Sequence, residues 1–171
     1  MLRAFKHTNS ILLNSFPVYK KLNGVLDTSP LNVPSARKAT NYISSEYDAD
    51  AVISYEELKS IVENPQTVDN YYILDARPGG RFAGSDPEPR PGISSGHVPG
   101  AISLPFSDLV KDGQFAPTDE ISAVIKSKGI ANDKPIIVMC GTGVTACVIE
   151  NALKEIDGLD QPVRVYDGSW T

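Results

Sequence analysis

Residues Ile136-Ile137-Val138-Met139 constrain the fold of this chain more than any others. Four apolar residues in a row, bounded by Lys134-Pro135, read as a buried strand. Cys140-Gly141-Thr142-Gly143-Val144-Thr145 follows, and then a helical pattern from Ala146 to about Asp157, closed by Gly158. A thiol is thus expected where a strand ends, in a glycine-containing turn, at the start of a helix. N–H groups in such a turn can converge on one point, and the helix dipole adds partial positive charge. Both favour a thiolate over a thiol.

The opposite reading of a lone cysteine is a small buried hydrophobe. That reading suits Cys147, which is flanked by Ala146 and Val148 on the same predicted helix. Seven helical residues span about 10 Å, too far for a disulfide to Cys140. One reactive-looking and one packed cysteine in 171 residues fit a reducing compartment rather than a stapled secreted fold.

Other short apolar runs repeat the theme. Ser54-Tyr55-Glu56-Glu57 has the capping-box pattern for a helix to about Glu63. Tyr71 to Leu74 predicts a strand ending at Asp75, Ala101 to Leu104 a second, and Val163 to Tyr166 the last. Thr118 is expected to cap a helix from Asp119 to Lys128, closed by Gly129. Strands separated by helices predict an α/β fold with a central parallel sheet and helices on both faces. Ligands of such sheets sit at the carboxyl ends of the strands, where Asp75 and Cys140 both fall.

The chain resembles the rhodanese-like sulfurtransferases, and within them the two-domain mercaptopyruvate and thiosulfate sulfurtransferases of the fungal type. The matching segments are Leu74-Asp75-Ala76-Arg77, Gly80-Arg81-Phe82-Ala83-Gly84 and Pro87-Glu88-Pro89-Arg90. Gly96-His97-Val98-Pro99-Gly100-Ala101, the loop from Cys140 to Ala146, and Tyr166-Asp167-Gly168-Ser169-Trp170 complete the series in order. The resemblance implies that Cys140 takes sulfur from a small anionic donor, keeps it as a persulfide, and passes it to a thiol or cyanide. Gly141, Thr142, Gly143, Val144 and Thr145 would form the active loop, whose N–H and hydroxyl groups stabilise anionic sulfur. Arg81 and Arg90 match the arginines that grip the donor carboxylate, a task suited to the guanidinium fork. Asp75 and Arg77 would support the loop through hydrogen bonds, while His97 and the segment from Asp167 to Trp170 would be structural.

Neutral Gly141 and Thr142 resemble the mercaptopyruvate-preferring branch, where a serine usually stands at position 142. In that branch the hydroxyl works with a histidine and an aspartate of the first domain. The resemblance implies no cofactor, and neither a metal cluster nor a phosphate loop is visible. A cysteine phosphatase of similar architecture would need an arginine where Ala146 stands. The implied acceptors are a thiol such as thioredoxin or a sulfur-carrier protein. A cysteine desulfurase is a further implied partner, and related proteins relay sulfur toward tRNA thiolation. The net charge of −5 offers no basic footprint for nucleic acid, and no apolar run approaches bilayer length.

Three segments are expected. Residues 1–29 resemble the end of a first, non-catalytic rhodanese-like domain, with a strand at Ser10 to Phe16 and a helix at Pro17 to Leu22. Residues 30–49 read as a linker rich in Ser, Pro, Ala, Thr and Asn. Residues 50–171 would be the catalytic domain, lacking a final helix. Met1 to Leu26 carries Arg3, Lys6, Lys20 and Lys21 without an acid, which superficially fits a transit peptide. The family pattern explains the same residues as an internal strand and helix, in a cytoplasmic or mitochondrial protein.

Overall fold

The computed structural model describes residues 2–7, 9–30, 41 and 45–171. Most of the linker expected at residues 30–49 therefore lies outside the described residues.

The chain begins with helix α1 (Phe16–Lys21), followed by α2 (Tyr55–Glu63), α3 (Pro65–Val68), strand β1 (Tyr72–Asp75) and α4 (Gly79–Ala83). Strand β2 (Ala101–Ser103), the short pair β3 (Val110–Lys111) and β4 (Gln114–Phe115), and α5 (Thr118–Ser127) come next. Strand β5 (Ile136–Met139), helix α6 (Val144–Lys154) and strand β6 (Val163–Val165) complete the domain. The main sheet is parallel, in the order β2-β1-β5-β6. At its outer edge Val52 bridges Val165, and Ile53 N–H donates to the Val165 carbonyl at 3.0 Å.

The apolar run of β5 is explained by burial on two sides. Successive strand residues point to opposite faces. Ile136 and Val138 join Ile121, Ile125, Ile149 and Leu153 from α5 and α6 in one core. Ile137 and Met139 join Leu58 and Ile61 of α2 in the other. Helices therefore cover both faces, as the sequence pattern predicts. Each of these side chains, fully removed from water, contributes on the order of 1.5–3 kcal/mol.

Local signals fare unevenly. Ser54 caps α2 as expected, its Oγ accepting from Glu57 N–H at 3.2 Å. The reciprocal half of the capping box does not form, because the Glu57 carboxylate is paired with Arg164 across the sheet edge. Thr118 does not cap α5: Pro117 holds that position and Thr118 is the first helical residue, with no side-chain cap. Helix α6 starts two residues before Ala146 and ends at Lys154, short of Asp157.

The expected strand at Ser10 to Phe16 is not formed. Among the described residues this segment joins no strand ladder, and Ile11 is 94% exposed. The expected helix is present as α1, one residue early. This segment still touches the domain, since Asn14 Oδ1 accepts from Phe115 N–H at 2.8 Å and Asn14 carbonyl from Gln114 Nε2 at 3.1 Å. Among the described residues no helix is long and apolar enough to cross a membrane.

Candidate functional site

Cys140 follows the last residue of β5, so the paired strands deliver it beside the end of β1. Ala76 N–H donates to the Met139 carbonyl at 2.8 Å and holds the two strand ends together. Gly143 turns the chain into α6 with φ of 81°, a left-handed value that suits glycine. A Cβ there would lie 3.1 Å from the Asp167 carbonyl oxygen, so the turn also packs against the segment after β6.

That segment reaches Cys140. Ser169, itself at φ 51°, accepts from Cys140 N–H at 3.1 Å and from Gly143 N–H at 2.9 Å. Its hydroxyl lies 3.0 Å from the Tyr166 carbonyl and 3.9 Å from Cys140 Sγ. Trp170 N–H donates to the Cys140 carbonyl at 3.0 Å, and Thr171 N–H and Oγ1 donate to the Gly141 carbonyl at 3.1 and 2.6 Å.

Cys140 is 1% exposed. Burial pushes its thiol up, but the Thr145 hydroxyl, the Ala146 and Thr142 N–H groups and the Ser169 hydroxyl outweigh that and hold it below the usual thiol value. Donors aimed at the sulfur favour its anion. Cys147 behaves oppositely. Burial is the main cause pushing its thiol up, Glu150 adds to the shift, and its Sγ bonds back to the Gly143 carbonyl at 3.3 Å.

Cys140 lines a cavity of about 320 Å³ together with Arg81, Arg90, Glu88, Thr142, Thr145 and Thr171, among others. Arg77, also in its wall, is buried and pairs with Asp75 at 2.6 Å and Glu88 at 2.9 Å. Its Nη2 donates to the Gly96 carbonyl at 2.6 Å, and the guanidinium stacks 4.2 Å from the Trp170 ring. Arg81 and Arg90 differ from it. Among the described residues neither has a carboxylate partner, and Arg90 has one long contact, 3.5 Å to Thr171 Oγ1. Two guanidinium groups without a carboxylate partner among the described residues, beside a thiol whose anion is favoured, give this cavity the chemistry that suits an anion.

The model of the rhodanese-like domain matches residues 54–171. This chain belongs to the rhodanese family. A probable 3-mercaptopyruvate sulfurtransferase of Schizosaccharomyces pombe is 37% identical over 99% of this chain and 56% of its own length. Thiosulfate sulfurtransferase TUM1 of Saccharomyces cerevisiae is 35% identical over 96% of this chain and 57% of its own. The crystal structure of Tum1 superposes with a TM-score of 0.85 at 34% identity, covering 99% of this chain and 59% of that one. A yeast mitochondrial complex I sub-stoichiometric sulfur transferase subunit superposes with a TM-score of 0.81 at 39% identity, over 99% of this chain and 60% of that one. The chain thus spans a little over half the length of these relatives.

Within the rhodanese domain, the residues expected around Cys140 are brought together: Cys140, Gly141, Thr142, Val144, Thr145, Arg77, Arg81 and Arg90 all line one cavity. Gly143 and Asp75 are not among the lining residues: Gly143 N–H turns to Ser169, and the Asp75 carboxylate pairs with Arg77. Among the described residues Arg77 makes no hydrogen bond to residues 140–145, unlike the expected support through hydrogen bonds; its guanidinium stacks on Trp170, whose N–H donates to the Cys140 carbonyl. His97 Nδ1 lies 2.8 Å from the Phe82 carbonyl and its ring stacks on Phe82, consistent with its structural reading. Sequence reasoning missed Ser169, Glu88 and Thr171 as parts of the site. Their signal was position: Ser169 and Thr171 follow β6 at the carboxyl edge of the sheet.

Proposed function

We propose that this chain carries the sulfur-loading site of a sulfurtransferase. The Cys140 thiolate attacks the sulfur of a small anionic donor, 3-mercaptopyruvate in preference to thiosulfate, and becomes a persulfide. With mercaptopyruvate the carbon–sulfur bond breaks, a sulfur–sulfur bond forms at Cys140, and the thiol proton ends on the methyl carbon of pyruvate. A thiol or cyanide then removes the outer sulfur and restores the thiolate. Arg81 and Arg90 hold the donor carboxylate; the Thr142 and Thr145 hydroxyls and the Thr142 and Ala146 N–H groups stabilise the anionic sulfur. Asp75 and Arg77 hold the site's shape. Residues 50–171 are the catalytic unit in this reading, and residues 1–29 belong to a preceding rhodanese-like unit.

The observation that carries the proposal is the acidified Cys140 in one cavity with two arginines that have no carboxylate partner among the described residues. The names of the relatives, which split between the two donors, support the reaction class. The likeness to a subunit of a mitochondrial assembly favours a protein thiol as acceptor, in the mitochondrion or cytoplasm. The test is turnover: mercaptopyruvate should release pyruvate, with one thiocyanate formed per pyruvate when cyanide is present. Cys140→Ser should abolish both products. Undiminished pyruvate release by that variant would remove Cys140 from the reaction.

A further inference from the structure

Thr171 stands in the wall of the Cys140 cavity, and both its donors share one acceptor. Its N–H and its Oγ1 reach the Gly141 carbonyl at 3.1 and 2.6 Å. A carbonyl only accepts, so the Thr171 hydroxyl gives its hydrogen to Gly141. Arg90, whose Nη1 lies 3.5 Å from the same hydroxyl oxygen, only donates and does not compete for that hydrogen.

The Gly141 carbonyl belongs to the peptide that also carries the Thr142 N–H. A trans peptide is planar, and its C=O and N–H point in opposite directions. Fixing the carbonyl on Thr171 therefore fixes where the Thr142 N–H points. That N–H is one of the donors that hold the Cys140 thiol below its usual value. Gly141 gives the peptide plane little support of its own. It has no side chain, a Cβ there would meet nothing within 4 Å, and glycine turns readily about its backbone bonds.

We propose that Thr171 is a positioning residue for the sulfur site: by holding the Gly141 carbonyl it aims the Thr142 N–H at Cys140. The cavity wall then does more than enclose a donor, because a hydroxyl outside the Cys140–Thr145 loop sets how that loop meets the sulfur. This inference rests on the reading of Cys140 as the group that takes up sulfur and adds a residue that tunes it.

Thr171→Val tests it, since valine keeps the shape and the N–H and removes only the hydroxyl. The readout is the pH midpoint of alkylation by neutral iodoacetamide, followed on the Cys140 peptide by mass analysis. The midpoint should rise by about half a unit, the scale of one neutral hydrogen bond passed on in part to the sulfur. Thr171→Ser, which keeps the hydroxyl, should return it to the wild-type value. The charged and titratable groups facing Cys140 are Arg77, Arg81, Glu88 and Arg90 in the cavity wall, with Cys147 and Asp167 on the α6 and β6 side. Neither variant replaces any of them, and Arg90 alone touches Thr171 among them. The shift should therefore persist when Thr171→Val is made together with Arg90→Ala. A midpoint unmoved by valine, one not restored by serine, or a shift that vanishes without Arg90 would overturn the proposal. A lower urea midpoint with unmoved alkylation would mark Thr171 as merely structural and overturn it too. Alkylation needs no sulfur donor, so a protein that takes sulfur from neither mercaptopyruvate nor thiosulfate would refute the sulfurtransferase reading and leave Thr171 to be decided by the titration.

Discussion

Replacing Ser169 with alanine removes the acceptor that two buried N–H groups share, those of Cys140 and Gly143. Both residues are buried, with Ser169 9% exposed and Cys140 1%. A buried donor left without a partner costs about 1–3 kcal/mol, so two should cost about 3 kcal/mol once the turn relaxes. With a urea slope of about 2 kcal/mol/M, the unfolding midpoint should fall by about 1.5 M. Alanine keeps the strained φ of 51° and therefore tests the hydroxyl rather than the backbone. Ser169→Gly, which relieves that strain, should recover part of the loss. The same variant loses one of the groups that favour the Cys140 anion, so its thiol titration should move up. A midpoint within a few tenths of the wild type, with an unmoved titration, would refute the account of how this loop is held.

Thr145→Val should raise the pH midpoint of Cys140 alkylation, because the hydroxyl favours the anion. The sign for stability follows from a lowered folded value: the contribution is present above the ordinary thiol range of about 8.5 and is lost as pH falls through the folded value. The stability gap between wild type and Thr145→Val should therefore be wider at high pH than in acid, as denaturant titrations at two pH values would reveal. Arg90→Ala should weaken a carboxylate donor by about 2–3 kcal/mol in kcat/KM while affecting thiosulfate less; equal losses would count against a carboxylate clamp. Arg77→Ala strands two buried carboxylates and should destabilise the domain by about 3–5 kcal/mol, read as a lower denaturation midpoint, and a surface-like loss under 1 kcal/mol would contradict the buried network.

What the sequence made legible is what short-range pattern controls. The four apolar residues of β5 announced burial on both faces, and the glycines after Cys140 announced the turn into α6. Ser54 announced a cap that depends only on a residue three positions away. Long-range pairing was not legible in the same way. Ser169 meets Cys140 across 29 positions, and nothing local says that a serine after Gly168 will accept from that N–H. Glu88 meets Arg77 across 11 positions, and nothing in Pro87-Glu88-Pro89-Arg90 says which cation its carboxylate will face. The failed strand at Ser10 to Phe16 has the same origin, because a strand exists only where a neighbour offers a ladder. Thr118 lost its capping role to the proline before it, a choice set by one residue of register.

The account stands on Cys140 as the sulfur carrier, and peptide-level mass analysis after exposure to mercaptopyruvate tests this most directly. The Cys140 peptide should gain the mass of one sulfur atom, lost again on treatment with cyanide, while the Cys147 peptide stays unchanged. Sulfur found on Cys147 to an equal degree, or on neither cysteine, would contradict it.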